Sequence, residues 1–198
     1  MSTEKGKRRY EKRRRAEQEE ATRRRITEAA VTLHGTVGPA RTTISALARE
    51  AGVQRATVYR HFPDDASLLA ACSAHWATQH PAPDPQPWLA VEDPEERVRT
   101  ALAAVYARYR GAEPMLTNVL RDAGAMPALR EAGAPWRAYL ATVEDLLAGG
   151  FPGGDQRTLR AAIALSLDFR AWQVLARERD LDDADAAQLM SRAVAANH

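Results

Sequence analysis

The chain has little that could hold a fold together other than apolar packing. Its 198 residues include one cysteine, Cys72, so an internal disulfide cannot form, and no Cys/His set stands at zinc-ligand spacing. No run of about 18 apolar residues exists to cross a bilayer. The first residues, MSTEKGKRRYEKRRR, are charged throughout and lack the apolar core of a secretory signal, so the expectation is a cytoplasmic protein with no membrane partner. There is no Gly-rich phosphate loop, no H-E-x-x-H, no nucleophile elbow and no Cys/His pair with an orienting group. Enzymatic activity is therefore not expected, nor a cofactor or a metal. Alternating β-branched runs are absent too, which predicts an all-α fold.

Charge is plentiful but unevenly placed. The whole chain carries 28 basic and 26 acidic side chains, a net of +2. Residues 1–62 hold 15 basic against 7 acidic, a net of +8, which leaves 13 against 19, or −6, for the rest. Residues 1–15 alone hold 8 basic and 2 acidic side chains. Like-charged blocks repel, so Met1 to about Glu11 reads as a mobile arm, suited either to a polyanion or to keeping the protein soluble. The domain reading is an arm at 1–16, a basic three-helix domain at 17–64, a connecting helix at 65–80, a Pro-rich loop at 81–93 and a larger helical domain at 94–198.

Within the basic part, Ile26, Ala29, Ala30 and Leu33 fall at i, i+3, i+4 and i+7, one stripe of a first helix ending near Gly35 and Gly38-Pro39. A second helix begins at Thr42 or Thr43, whose hydroxyl can cap it, and runs to Gly52. The third starts at Gln54 and stops at Phe62, before Pro63. A fourth spans Ala66 to about Thr78. The segment HPAPDPQPW, residues 80–88, has four prolines in nine residues and is expected to be non-helical. Five helices should follow: Pro94–Arg110, Pro114–Ala132 with a break at 124–127, Pro135–Ala148, Asp155–Arg179 and Asp182–Ala196.

Residues 44–62, ISALAREAGVQRATVYRHF, have the spacing of a helix-turn-helix. Ala48 is small where two helices touch, Gly52 allows the turn, and Leu47, Val53 and Val58 supply a shared core. In such a motif the second helix lies in the major groove. Gln54 reads as its cap, with Arg55, Ala56, Thr57 and Tyr59 on the groove-facing side. Arg55 can donate two bonds to guanine, Gln54 can read adenine, and Ala56 and the Thr57 methyl can touch thymine methyls. Tyr59, Arg60 and His61 lie nearer the phosphates, and Thr43 and Ser45 can donate to the adjacent backbone.

Over a longer span, Arg24 to about Ala71 resembles the DNA-binding domain of the TetR family of bacterial transcriptional regulators. The resemblance is carried by the first-helix stripe, Thr42-Thr43, Leu47-Ala48-x-x-Ala51-Gly52-Val53, Ala56-Thr57-Val58-Tyr59-x-His61-Phe62 and the acidic start of the fourth helix. It departs at His34, where the family usually has Phe, and at Pro39, where a bulky residue is common. The resemblance implies phosphate contacts for Tyr59 and His61, an operator on double-stranded DNA, a homodimer and a small-molecule effector.

The last two helices would then supply a four-helix dimer interface. The segment from Ala161 to Ala176 is apolar on more than one face, and Ile163, Leu167, Trp172, Val174, Met190 and Val194 are the expected interface residues. The effector pocket is expected around Trp76, Tyr106, Tyr109, Met115, Trp136, Tyr139, Phe169 and Trp172, large surfaces with a few polar tips. The acidic Asp122, Glu144 and Asp168 are expected as surface ion-pair partners. The most favoured function is a repressor released from its operator by the effector. Activation remains open, as does a C-terminal domain that only dimerises or binds a partner protein.

Overall fold

The computed structural model describes residues 2–197, and side chains from residue 8 to residue 197. All regular structure among the described residues is helical: α1 Ser2–Thr36, a 3-10 turn Pro39–Arg41, α2 Ile44–Glu50, α3 Arg55–His61, α4 Asp65–Gln79, α5 Gln86–Leu89, α6 Pro94–Asp122, α7 Pro127–Ala132, α8 Ala134–Ala148, α9 Gln156–Ser166, α10 Phe169–Gln173 with a π-helical turn Val174–Glu178, and α11 Asp183–Ala195. The chain forms two compact units. One contains residues up to Gln79 and Thr117–Ala132; the other contains His80–Leu116 and the residues from Gly133 onward.

In the first unit the expected stripe holds. Ile26, Ala29 and Ala30 of α1 pack with Leu47, Ala48, Val58, Phe62 and Leu68 in one buried cluster, with Leu33, Ile44 and Val53 at its edge. Thr43 caps α2 by accepting from the Ala46 N–H at 3.1 Å. Gly52, at φ 64°, ends α2: Val53 N–H donates to the Ala48 carbonyl at 2.9 Å and Gly52 N–H to that of Arg49 at 3.2 Å, the paired bonds of a left-handed helix stop. α3 ends at Phe62 as Pro63 requires. Asp64 then accepts from Ser67 N–H at 2.7 Å and opens α4, a bond that holds its carboxyl below the ordinary range.

Residues 2–11 differ from the expected mobile arm, because α1 is one helix from Ser2 to Thr36. Lys, Arg, Glu and Ala are good helix formers, and Arg13–Glu17 at 2.8 Å and Arg15–Glu19 at 3.3 Å pair along the axis. Charge of both signs at four-residue spacing thus overrides repulsion between the basic clusters. Met1 lies outside the described residues.

The C-terminal end of α6 belongs to this unit and caps α1. Asn118 Nδ2 donates to the carbonyls of His34, Gly35 and Thr36 at 3.0, 3.1 and 3.4 Å. Arg121 donates to the Val37 carbonyl at 3.1 Å, and Asp122, 7% exposed, accepts from Ala40 N–H at 3.0 Å. Gly38, at φ 95°, leaves room for this; a Cβ there would sit 2.1 Å from the Arg121 guanidinium. Asp122 was expected on the surface, yet it is buried, and its ion pair with the neighbouring Arg121 at 2.7 Å holds its carboxyl low.

In the second unit three expectations change. α6 runs unbroken through Pro114; Pro114 and Arg110 are both exposed, so the carbonyl freed at Arg110 faces water, while Val98, Ala101, Leu102, Val105, Tyr106, Tyr109, Ala112 and Met115 bury the opposite stripe. The Pro-rich segment carries a short helix, α5, because Pro85 and Pro87 occupy its cap and first turn, where no N–H is needed. The long helix expected over 155–179 is broken at Leu167-Asp168. Asp168 turns extended, at φ −75° and ψ 131°, and caps α10 by accepting from Arg170 and Ala171 N–H, while Glu144 keeps the expected ion-pair role, with Arg160 at 3.3 Å. The carbonyls freed at the end of α9 are met by α6: Tyr106 donates to Ser166 at 2.8 Å and Tyr109 to Leu167 at 2.5 Å.

His34 is 4% exposed, and burial, partly opposed by the Asp122 charge, lowers its pKa to about 4. Between the unfolded value of 6.5 and this one, the unfolded chain takes up a proton that the folded chain refuses, so acidification through that window destabilises the fold. Urea unfolding should show a loss of up to about 3 kcal/mol between pH 7 and pH 4 from this group, a loss absent in His34→Leu.

Candidate nucleic-acid interface

α3 is seven residues long, too short to persist alone, and its orientation is set by what it buries. Val58 is fully enclosed and Thr57 half-buried, which turns Arg55, Ala56, Tyr59 and Arg60 outward. Gln54 caps the helix through its backbone, with no side-chain bond, so its amide remains free to read an external group. Arg55 and Arg60 have no acidic partner among the described residues. Tyr59 is half exposed, an uncommon state for a large ring. These residues give one outward face the donors, acceptors and methyl groups that a base edge can match.

Around that face lie the groups suited to the backbone of DNA. Thr43 and Ser45 are exposed at the start of α2; the Thr43 oxygen accepts the capping bond and its hydrogen is left to donate outward. A groove of about 300 Å³ runs between α1 and the end of α3, lined by Arg15, Gln18, Glu19, Thr22, Arg60 and His61. His61 is half-buried, and its enclosed Nε2 meets no hydrogen-bonding group of the chain. Arg23 was not anticipated from sequence, where it reads as one more basic residue. It lies over the Phe62 ring at 4.2 Å and donates to the His61 carbonyl at 2.8 Å, locking the end of α3 to α1.

Residues 26–72 match the family described as bacterial regulatory proteins, tetR family. The match is confined to this domain, the span of α1, α2, α3 and the start of α4. No curated protein matches the sequence. Among solved structures, the transcriptional regulator FadR from Bacillus subtilis, in complex with stearoyl-CoA, is similar at 16% identity and a TM-score of 0.62, covering 88% of this chain and 98% of its own. FadR from Bacillus halodurans, a fatty acid degradation regulator, is similar at 18% identity and 0.61, with 87% and 93% covered. A TetR transcription regulator from Haloarcula marismortui gives 16% and 0.61, with 90% and 96% covered. At these identities the likeness is one of fold, and it covers residues of both units.

The expected pocket residues fall in both units. Trp76 lies in the first unit and the other seven in the second. There Tyr109 meets Phe169 edge to face at 5.3 Å and Trp136 at 6.1 Å, and Trp136 stacks on Tyr139 at 4.9 Å. The polar tips are used inside the chain: Trp172 donates to Asp183 at 2.9 Å and Tyr139 to the Pro83 carbonyl at 2.9 Å, beside the two tyrosines that cap α9. These rings form a core. The expected dimer residues are divided too. Ile163, Leu167, Trp172 and Val194 are buried in their own chain and Met190 half-buried, whereas Val174 is 40% exposed. Breaking the long helix lets one chain cover both of its faces, and the exposed large apolar groups become Leu165, Val174 and Leu189.

Among the described residues no group of three or more His, Cys, Asp or Glu is placed to hold a metal, and none of the helices is long and apolar enough to cross a membrane. Cys72 is buried, and burial pushes its thiol up to about 12, so it is a core residue and no nucleophile.

Each phosphate neutralised adds about 0.9 to the log–log slope of affinity against salt on duplex DNA. Deleting residues 2–15 should flatten that slope by two or more such steps without changing sequence preference. An unchanged slope would show that the start of α1 does not reach DNA. Arg55→Ala should instead cost about 1–3 kcal/mol on the preferred site and almost nothing on random DNA.

Proposed function

We propose that the protein is a sequence-specific, homodimeric transcriptional regulator that binds operator DNA through α3, most simply a repressor, and leaves it when the second unit takes up a small molecule. The observation that carries this reading is the outward face of α3, with Arg55, Ala56 and Tyr59 exposed over a buried Val58. Gln54, Arg55, Ala56, Thr57 and Tyr59 read bases; Thr43, Ser45, Tyr59, Arg60 and His61 hold phosphates. The net charge of +8 on residues 1–62 against −6 on the remainder favours approach by the basic end.

A two-fold dimer matches two half-sites. Its surface in this chain is formed by the exposed Leu165, Val174 and Leu189 of the last helices. Control by an effector follows from binding one of two dimer states more tightly, which shifts the equilibrium by the difference in affinity. FadR with stearoyl-CoA supports the view that a helical domain of this build can accept a ligand. The closed rings and satisfied tips of Tyr106, Tyr109 and Trp172 favour a second reading, in which the second unit only dimerises or binds a partner protein.

Chromatin immunoprecipitation should give discrete peaks that vanish in an Arg55→Ala/Tyr59→Ala variant of equal abundance; peaks that persist would refute reading by α3. A thermal-shift screen of metabolites and drugs separates the two roles of the second unit, since effector control requires at least one compound that raises Tm and also releases DNA. Leu165→Glu/Leu189→Glu should convert the dimer to a folded monomer in sedimentation velocity and weaken operator binding.

A further inference from the structure

The first half of α1 stands clear of the rest of its unit. Every residue from 8 to 21 is exposed, Thr22 and Arg23 are half-buried, and the helix enters the core at Ile26. Helical residues without a neighbour draw no stability from packing, so this stretch is characterised by the partner it fits. Its apolar side chains are Tyr10, Ala16 and Ala21, too few for an apolar face. A second copy would need an apolar seam, and a lipid surface would need an apolar side opposite the charges. Neither is there, and the excess of Lys and Arg fits a polyanion.

The charges are arranged as well as plentiful. Arg8, Lys12, Arg15, Glu19, Thr22 and Ile26 follow one another at alternating steps of four and three residues, which puts them on one stripe of the helix. The inner end of that stripe is fixed. Ile26 is buried in the same cluster as Val58 of α3, and Arg15, Glu19 and Thr22 line the groove whose other side is Arg60 and His61. Lys12 and Arg8 therefore continue along the side of α1 that carries the end of α3. The ion pairs of α1 are Arg13–Glu17, Arg15–Glu19 and Arg24–Glu28, which leaves Arg8 and Lys12 without a carboxylate partner among the described residues.

We propose that this stripe docks on the phosphate backbone of the duplex beside the bases read by α3, with Arg8 and Lys12 each taking a phosphate. From Arg8 to Arg15 it is about 10 Å long at 1.5 Å per residue, or about three base-pair steps at 3.4 Å each. The contact lengthens the bound site without reading sequence. It rests on α3 being the helix that reads DNA, and it assigns the extra contact to one face of α1. A merely basic tail would bind by its total charge, whichever side its arginines lay on.

Two charge-matched variants of the full chain separate the face from the total charge. Arg8→Gln/Lys12→Gln removes two charges from the stripe, and Arg13→Gln/Arg14→Gln removes two that point away from it. Glutamine forms helices about as well as Arg or Lys, and far-UV circular dichroism checks that α1 persists. Fluorescence anisotropy then measures affinity for a duplex of random sequence between about 50 and 200 mM salt. The stripe variant should flatten the log–log slope by about 1.8, two phosphates at 0.9 each, so that wild type loses about tenfold more affinity than the variant over that range. The other variant should stay within about half a phosphate of the wild-type slope. Flattening by Arg13→Gln/Arg14→Gln that equals or exceeds that of the stripe variant, or no flattening by the stripe variant, overturns the proposal. Arg55→Ala, measured alongside, tests α3 separately: it should lower affinity for a selected site and leave the random-duplex slope unchanged, so either claim can fail while the other stands.

Discussion

The outward face of α3 depends on the burial of Val58 and Phe62. A seven-residue helix cannot hold itself together in water, so α3 exists because these two side chains are clasped by Ile26 and Ala30 of α1, Leu47 of α2 and Leu68 of α4. Once they are fixed, helical periodicity decides the rest, and Arg55, Ala56 and Tyr59 have nowhere to point but outward. Gly52 sets the angle at which α2 hands the chain to α3, and Arg23 pins the far end by joining the Phe62 ring to the His61 carbonyl. Chemistry at the surface is thus positioned by a core of about ten side chains.

The same logic explains the polar network at the end of α1. Helices leave their last carbonyls without partners, and here Asn118 and Arg121 from the end of α6 supply them. Tyr106 and Tyr109, earlier on α6, do this for α9. One helix therefore caps two others with side chains of different length. Pro114 between the two sets is tolerated because its missing bond falls on the wet side.

The reading head was legible in the sequence to within a residue or two, because its signals are local: Thr43 as a cap, Gly52 as a stop, Pro63 as a breaker and the Ile26 stripe. The outward placement of Arg55, Ala56, Tyr59 and Arg60 follows from the same periodicity. The rear was less legible, and the misreadings share a cause. Pro114 reads as a start and Asp168 as an ion-pair partner, since each signal has two meanings that only a distant partner separates. At Asp168 the break is supported by the two tyrosines that donate to the freed carbonyls of Ser166 and Leu167; for Asp122 the partner is the Ala40 N–H, 82 residues away. The aromatic residues expected to line a pocket became core once Tyr106, Tyr109 and Trp172 found partners inside the chain. The start of α1 is helical because Arg and Glu alternate at four-residue spacing, a local signal that the net charge hides.

The central claim, that α3 reads DNA sequence in a two-fold assembly, is tested most directly by selecting bound duplexes from a randomised pool with the full-length protein. The account predicts an enriched, two-fold symmetric motif whose half-sites lie about one helical turn or a simple multiple apart, with a preference at one position that is lost in Arg55→Ala. A pool that stays random, or a motif that Arg55→Ala leaves intact, would contradict it.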